Sequence, residues 1–511
     1  MSEPSAPARV PVAVIDIGSN SGRVVVYRAE MEGGLRIQAT TRASLRLVRE
    51  VEKGHVLSPE AIERTLDALR DFRALSLGAG ATRSVAVATA ALRDAENAPA
   101  LLERIRAELG LEVEIITGEK EAWYGFVGAV TGLPVEHGVL FDLGGGSMQL
   151  TCFRERRVVQ SWSLPLGSLR LSDAFLASDP PKPGEIRRLQ EHVRAALEET
   201  GLPRLTAGEA LVGTGGTVRN LAKVDRRTRE YPIARIHGYV IPAVRLKAMV
   251  AMLAERRAKE RKSVPGLNED RGDSIVGGGL AVQALVEGLD AREIQVSGQG
   301  VREGVAVSWS GTDALPPPAA VREASLLSLC ARFRTFDPAT AARRAAVASA
   351  LLHALLPGSL EEMREALAEA ARVLDIGRSV DFFDRHAHAA DMVLETELYG
   401  FSHRALALLS AVLRGAGDED SNLRAYGPLL TAGDVAPIGQ AATLLALADD
   451  IEERCPPGAP IAVQCESGRQ EVKVTVPALA GWRPRALADR FERVFGRKLT
   501  VIAGPDPAHS P

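Results

Sequence analysis

Two stretches of the chain place an aspartate directly after an apolar run and follow it with glycine and small hydroxyl residues. They span residues 12–21 and 139–150. Consecutive glycines let backbone N–H groups converge on one point, which suits the oxygens of a phosphate group. The aspartates, Asp16 and Asp142, would end their strands beside that point, where carboxylates bind a divalent cation. These residue types therefore predict two neighbouring sites for phosphate and metal.

A third Gly-rich loop ends the apolar run at residues 211–217. A Gly-rich hairpin turn would explain any one loop by itself, but two aspartate-bearing copies favour two halves that face each other across a cleft. A helix should begin after the third loop, so that its backbone donors add to the anion site. The candidate phosphate-binding residues are Gly18, Ser19, Asn20, Ser21, Gly144, Gly145, Gly146, Ser147, Gly213, Gly215, Gly216 and Thr217.

Strand and helix signals describe the elements that carry these loops. Residues 22–27 predict a strand that returns from the first loop, and residues 32–34 predict a hairpin turn. Ser58 suits a helix N-cap and Pro59 the first helical position. The pattern further predicts strands at 85–89, 113–116 and 499–502, and helices at 101–109 and 485–495.

The bulk composition narrows the class of protein. A length of 511 residues predicts two to four domains, and 46% hydrophobic with 25% charged residues is typical of globular proteins. A net charge of −3 provides no global basic surface, so we expect no nucleic-acid partner, and a polyanionic substrate would need a local basic lining. Scattered cysteines and the lack of a signal or membrane-spanning run predict a cytoplasmic protein with no membrane partner.

In combination, the three loops resemble the exopolyphosphatase / guanosine pentaphosphate phosphohydrolase family, of the actin, sugar-kinase and heat-shock-chaperone ATPase superfamily. The resemblance covers roughly residues 10–310, including segments 266–279 and 295–304 near the end of the family's catalytic part. It implies an α/β fold with duplicated actin-like (ribonuclease H-like) domains. We expect a disordered leader at 1–9, domain I at 10–135 and domain II at 136–312.

The remainder of the chain changes character. Residues 320–450 are rich in Ala, Leu and Arg at helical spacing and predict an all-helical domain. Long family members carry a domain here that resembles metal-dependent HD phosphohydrolases. Leu374 stands where the histidine of a His-Asp pair should precede Asp375, so we expect a degenerate HD-like domain without its own hydrolytic site. Residues 456–505 predict a small α/β domain.

The resemblance also assigns roles to individual residues. A family stretch that matches residues 89–97 supplies a phosphate-contacting arginine, which is Arg93 here. A family Ser-Gly-x-Glu-Glu-Ala pattern matches residues 117–122 and assigns the general base to Glu121, with Glu119 as a local competitor and Lys120 in place of the other glutamate. Without the resemblance, Arg93 would be a surface arginine, and Glu121 a charge that favours a helix N-terminus.

One departure concerns the metal. The family motif usually reads Asp-x-Gly-Gly-Gly-Ser-Thr-Glu, whereas Met148 and Gln149 replace its last two residues here. The replaced glutamate is associated with the metal in the family, and a glutamine still offers a carbonyl oxygen. The predicted metal ligands are therefore Asp16, Asp142 and Gln149, around Mg²⁺ or another divalent cation.

Together these roles imply hydrolysis of the terminal phosphoanhydride bonds of inorganic polyphosphate, with release of orthophosphate. A guanosine pentaphosphate 5′-phosphohydrolase would use the same catalytic groups. Gln149 and Lys120 also motivate a polyphosphate- or alarmone-binding regulator with weak hydrolysis, whereas the adenosine and acceptor signatures of a sugar or acetate kinase are not evident. Phosphate transfer in the reverse direction, from polyphosphate to a nucleoside diphosphate, is chemically close. Long family members are often dimers, so the resemblance implies a homodimer.

Overall fold

The computed structural model describes residues 10–29, 35–309, 315–480 and 482–504. The chain divides into two units, Met1–Arg229 with Arg235–Ser325, and Glu230–Ala234 with Leu326–Pro511. The predicted leader at 1–9 and the predicted hairpin at 32–34 lie outside the described residues, as do the last residues of predicted domain II at 310–312.

The first sheet of the first unit carries the first aspartate loop. Its strands lie in the order β3-β2-β1-β4-β5, with β1, β2 and β3 antiparallel and with β4 and β5 parallel to β1. Their bounds are β1 (Val12–Ile17), β2 (Ser21–Ala29), β3 (Leu35–Ser44), β4 (Arg83–Ala88) and β5 (Val113–Ile115).

The second sheet repeats this design and carries the other two loops. Strands β6, β7 and β8 form an antiparallel meander, and β9 and β11 continue the sheet in parallel, in the order β10-β11-β9-β6-β7-β8. The bounds are β6 (Gly138–Leu143), β7 (Met148–Arg154), β8 (Arg157–Leu164), β9 (Ala210–Thr214), β10 (Tyr239–Pro242) and β11 (Glu293–Val296). The matching strand orders confirm the predicted duplication of an actin-like domain.

Helices connect and cover these strands. Ser58 caps α2 by accepting a hydrogen bond from the amide of Ala61 at 3.2 Å, and Pro59 takes the first helical position, both as predicted. A cap of this kind stabilises a helix by about 1 kcal/mol. The helices are α1 (Val48–Gly54), α2 (Pro59–Gly78), α3 (Ala90–Arg93), α4 (Ala98–Leu109), α5 (Gly118–Thr131), α6 (Ser168–Phe175), α7 (Pro183–Glu198), α8 (Gly216–Arg227), α9 (Ala243–Ala254), α10 (Ala258–Arg261), α11 (Ile275–Gly288) and α12 (Val301–Trp309), with a 3₁₀ turn at Glu269–Arg271.

Helices α5 and α12 cross between the two sheets. Phe126 and Val130 of α5 pack in one apolar cluster with the second sheet, whereas Val305 of α12 packs in another with the first. The crossing is close, because a Cβ at Gly128 would lie 1.9 Å from the carbonyl oxygen of Gly300. Only glycine fits there. The crossing brings α5, which precedes the predicted boundary at 135, onto the second sheet.

The second unit is built mainly from helices. These are α13 (Pro318–Cys330), which begins within the first unit, α14 (Pro338–Leu355), α15 (Glu361–Val373), α16 (Arg385–Glu395), α17 (His403–Gly417), α18 (Val435–Arg454) and α19 (Arg485–Phe495), with 3₁₀ turns at Leu374–Ser379, Leu423–Tyr426 and Ala432–Asp434. A sheet of β12 (Gln464–Ser467), β13 (Glu471–Ala480) and β14 (Lys498–Gly504) follows in the order β12-β13-β14. Its Val472 and Val474 belong to the same apolar core as the helices, so the sheet and the helices share one core.

No helix within the described parts of the chain combines the length and the apolar character that a membrane span requires.

Candidate active site

The two aspartate loops form the same turn. The amide of Gly18 donates to the carbonyl of Ser21 at 3.2 Å, and the amide of Gly144 donates to the carbonyl of Ser147 at 3.0 Å. Strand pairing sets Asp16 opposite an arginine in the first sheet and Asp142 opposite a glutamine in the second. The amides of Gly18 and Gly144 therefore close the turns, and a phosphate group would need donors from the residues that follow them.

The two turns lie directly against each other. A Cβ at Gly145 would lie 3.0 Å from the Cβ of Asn20, and a Cβ at Gly146 would lie 3.1 Å from the hydroxyl oxygen of Ser19. Side chains at the two glycines would crowd the opposite turn, so glycine permits this approach. The structure thus brings together the first two predicted phosphate loops.

The third loop joins them at Asp142. Gly215 has a φ of +96°, and a Cβ at this position would lie 2.8 Å from Oδ1 of Asp142. The predicted helix, α8, begins at the next residue, earlier than the sequence placed it, so its first amides point away from the helix body toward the loop. Thr217 is 1% exposed and packs against Gly278 of α11.

Glu121 lies in the first turn of α5, and local sequence explains its position. Thr117 caps the helix by accepting a hydrogen bond from the amide of Lys120 at 3.2 Å. The Glu121 carboxylate is 8% exposed and lies 3.3 Å from a guanidinium nitrogen of Arg93, which also donates to the carbonyl of Ile116 at 2.8 Å. The two residues assigned to catalysis by resemblance are therefore in contact.

Burial dominates the electrostatics of the carboxylates. It raises the pKa of Glu121 to about 8, with the charge of Asp142 adding to the rise and Arg93 opposing it. Burial also raises the pKa of Asp142 to about 6, opposed by Arg219. The pKa of Asp16 is raised by burial as well, although Arg302 lies 3.1 Å away and acts in the opposite direction. Burial is therefore the main cause of all three shifts, and the neighbouring arginines only partly oppose it.

Sequence reasoning missed three residues that complete this cluster. Arg302 pairs with Asp16, and Glu303 accepts hydrogen bonds from the hydroxyl of Tyr27 at 2.6 Å and the amide of Gly300 at 2.7 Å. Arg219 donates to the carbonyl oxygens of Gly215 and Gly298, both at 3.1 Å. The available signal was the resemblance of residues 295–304 to a family segment, which contains both Arg302 and Glu303.

A basic cluster surrounds the third loop. Burial and the charges of Arg302, Arg219 and Arg42 lower the pKa of Arg23 to about 10. Burial and the charges of Arg219, Arg42 and Arg23 lower the pKa of Lys223. Cations that lower one another's pKa values create a local positive potential. This is the local basic lining that a polyanionic substrate requires in a chain of net charge −3.

Arg271 is a buried cation of the same region. Its side chain lies against the start of α8, because a Cβ at Gly216 would fall 2.5 Å from one of its terminal nitrogens. It is 8% exposed, and its Nε has no hydrogen-bond partner among the described residues. A buried guanidinium of this kind beside a helix N-terminus is suited to a phosphate oxygen.

Gln149, the third predicted metal ligand, is buried in β7. Its amide nitrogen donates to the hydroxyl oxygen of Ser147 at 2.8 Å and to that of Ser163 at 3.3 Å. The nitrogen end of the side chain is therefore committed to two serines. Any metal contact would have to come from its carbonyl oxygen.

Asp16 and Asp142 form a donor set that fits a magnesium ion. In the described parts of the chain, no three or more His, Cys, Asp or Glu side chains are grouped as ligands for a metal ion. Mg²⁺ commonly uses one or two protein carboxylates and completes its shell with water and substrate phosphates. Because burial disfavours the charged form of both aspartates, a bound cation would offset part of that cost.

The position of the predicted HD-like site holds an ion-pair network. Asp375 pairs with Arg344 and with Arg378, and Arg344 also lies 2.9 Å from Asp449. Arg385 contacts Asp449 in turn. The carboxylate of the degenerate His-Asp position is thus neutralised by guanidinium groups.

Comparison with known proteins identifies relatives of the first unit. A family model described as the Ppx/GppA phosphatase family matches residues 24–313. A protein named Exopolyphosphatase 2 from Mycobacterium tuberculosis is 33% identical over 322 residues, which cover 59% of this chain and 98% of the relative. Exopolyphosphatase 1 from the same organism is 28% identical over 306 residues, with 58% and 86% covered.

Solved structures give the same result. The Ppx/GppA family member from Aquifex aeolicus is 31% identical, with a TM-score of 0.52 and coverage of 59% of this chain and 97% of the other. An exopolyphosphatase from Cytophaga hutchinsonii shares the fold, with 22% identity and a TM-score of 0.55. The match covers 59% of this chain and 99% of that protein.

Proposed function

Because the chain belongs to the Ppx/GppA phosphatase family, we propose that it is an exopolyphosphatase, which hydrolyses the terminal phosphoanhydride bond of inorganic polyphosphate and releases orthophosphate. One observation carries the proposal: the buried Glu121 carboxylate contacts Arg93 beside facing phosphate loops and a basic cluster. The names of the mycobacterial relatives support the same activity.

Glu121 acts as the general base. In its ionised form it accepts a proton from a water molecule, whose oxygen attacks the terminal phosphorus while the bond to the bridging oxygen breaks. A pKa near 8 makes its carboxylate a stronger base than an ordinary glutamate. Arg93, in contact with Glu121, holds a phosphate oxygen and offsets the charge that develops during transfer.

The loops and arginines bind the chain of phosphates. Amides and hydroxyls of the residues from Ser19 to Ser21 and from Gly145 to Ser147 donate to phosphate oxygens, as do the first amides of α8. Arg271 and Arg23 supply positive charge beside them. Phosphoryl transfer requires mainly positioning and charge neutralisation, and these groups provide both.

Asp16 and Asp142 would hold the divalent cation, Mg²⁺ in this proposal. When bound, it neutralises phosphate charge next to the reacting phosphorus. The homodimer and the cytoplasmic location remain predictions, which sedimentation of the purified protein and cell fractionation would test.

Orthophosphate release from a panel of substrates tests the proposal. With Mg²⁺ present, we expect a higher kcat/KM for long-chain polyphosphate than for guanosine pentaphosphate. A preference for the nucleotide would instead make the protein a guanosine pentaphosphate phosphohydrolase. No turnover of either substrate, with polyphosphate binding retained, would contradict a hydrolase and indicate a regulator.

A further inference from the structure

The amide of Gln149 has a defined hydrogen-bonding direction. Its nitrogen carries two protons, and two hydroxyl oxygens lie within reach, those of Ser147 at 2.8 Å and Ser163 at 3.3 Å. Gln149 is 3% exposed and Ser147 is 7% exposed, so water has little access to the first of these bonds. Both amide protons are thus used, and both serine oxygens act as acceptors.

A serine hydroxyl that accepts one hydrogen bond keeps its own proton for another acceptor. Ser147 is the last residue of the second aspartate turn, beside the first turn and the phosphate site proposed there. We infer that Gln149 is a positioning residue that fixes the Ser147 hydroxyl as a hydrogen-bond donor to a phosphate oxygen. This inference rests on the proposed function and replaces the prediction that Gln149 is a metal ligand.

A glutamate at this position would reverse the arrangement. An ionised carboxylate has no proton to donate, so Ser147 and Ser163 would both have to donate to it. The Ser147 proton would then be lost to the substrate. With glutamate at position 149, the Ser147 hydroxyl would donate to that side chain. With glutamine there, the hydroxyl can donate to the ligand instead.

Ser163 extends the effect toward the general base. A Cβ at Gly118, the first residue of α5, would lie 2.8 Å from the Cβ of Ser163 and 2.9 Å from its hydroxyl oxygen. Gln149 therefore links the second phosphate turn to the strand that packs against the start of α5, three residues before Glu121. The link explains why a neutral amide with two protons suits this position.

A double-mutant cycle tests the inference. We expect Gln149→Glu to raise the KM for polyphosphate by about tenfold or more, which corresponds to one hydrogen bond to a charged group. Gln149→Met has no hydrogen-bond donor and only a weak acceptor, so it should have a smaller effect because the Ser147 hydroxyl remains able to turn. In a Ser147→Ala background, Gln149→Glu should change KM by less than about twofold, because the group through which it acts is gone.

Two outcomes would overturn the inference. Additive effects of Gln149→Glu and Ser147→Ala would show that residue 149 acts on the substrate without Ser147. A higher Mg²⁺ concentration for half-maximal activity in Gln149→Met than in wild type would show that the glutamine side chain binds the metal.

The inference and the proposed function fail separately. If the wild-type protein releases no orthophosphate, calorimetric binding of sodium polyphosphate is measured instead. The proteins compared are wild type, Gln149→Glu, Ser147→Ala and the double variant, and thermal unfolding checks that each is folded. The same non-additive pattern in the dissociation constants would support the role of Gln149, and an additive pattern would overturn it.

Discussion

The carboxylate of Glu121 lies 3.3 Å from the guanidinium of Arg93, yet its pKa is raised to about 8. An adjacent cation normally lowers the pKa of a carboxyl group, but here burial and the charges of Asp142 and Asp16 outweigh Arg93. These effects favour the protonated form of Glu121 at neutral pH, so the proposed role as a base requires a further positive charge nearby. A divalent cation beside the aspartates would supply that charge.

The first prediction concerns pH. Because the ionised form of Glu121 accepts the proton, kcat/KM for polyphosphate should rise with pH, with a midpoint near 8 at low Mg²⁺. Raising the Mg²⁺ concentration should move the midpoint to lower pH, since a cation stabilises the carboxylate. Initial rates across a pH series at several Mg²⁺ concentrations measure both effects. A midpoint that does not change with the Mg²⁺ concentration would contradict an electrostatic effect of the cation on Glu121.

The second prediction concerns stability. The pKa of Glu121 is higher in the folded chain than its ordinary value of 4.5, so the folded state binds the proton more tightly. Stability from this group is therefore greatest at low pH and falls as the pH rises from about 4.5 to about 8. Glu121→Gln should raise the free energy of unfolding by a few kcal/mol above pH 8, from ~1.4 kcal/mol per pKa unit, and have little effect at pH 4. Denaturant titrations at both pH values measure this difference. An equal change in the free energy of unfolding at the two pH values would contradict burial as the cause.

The third prediction concerns Arg93. Arg93→Met should lower kcat by about 10²-fold or more, because a charge that stabilises the transferring group is lost. It should also move the pH midpoint upward, since Arg93 opposes the rise in the Glu121 pKa. Arg93→Lys keeps the charge, so its pH midpoint should lie closer to that of wild type than the midpoint of Arg93→Met does. A pH profile unchanged in Arg93→Met would contradict the contact between the two residues.

The fourth prediction concerns Arg271. Arg271→Met should raise the KM for polyphosphate by about 10-fold or more with a smaller change in kcat, because the proposed role of the guanidinium is to bind phosphate and not to act on the attacking water. Arg104→Met is the matched control: Arg104 is exposed and pairs with Glu63 and Glu108. The control should change KM by less than about twofold. Steady-state kinetics measure KM for both variants. Equal KM values for Arg271→Met and Arg104→Met would contradict the assignment of Arg271 to phosphate binding.

Local sequence predicted much of this fold. The apolar run, aspartate and glycine of the two aspartate loops predicted strand and turn, and the helix predicted after the third loop begins within it, at Gly216. The helix predicted at 101–109 begins earlier, at Ala98, because a proline in the first helical turn is tolerated there. These features depend on short-range backbone preferences, which a single sequence carries.

The partners of the site residues depend on the tertiary fold. Arg302 lies 286 positions from Asp16, and Glu303 lies 276 positions from Tyr27. No periodic pattern relates such positions, which meet where α12 packs against the first sheet. The hydrogen bonds of the Gln149 amide likewise depend on Ser163 in the neighbouring strand, whereas the family resemblance predicted a metal ligand at this position.

Orthophosphate release from long-chain polyphosphate by wild type, Glu121→Gln and Glu119→Gln tests whether Glu121 is the general base of a polyphosphate hydrolase. Glu119 is exposed on the same helical turn and serves as the control. With Mg²⁺ at pH 8, wild type and Glu119→Gln should release orthophosphate at similar rates, and Glu121→Gln should be slower by about 10²- to 10⁴-fold, as expected for loss of a general base. Equal rates in Glu121→Gln and wild type would contradict the account.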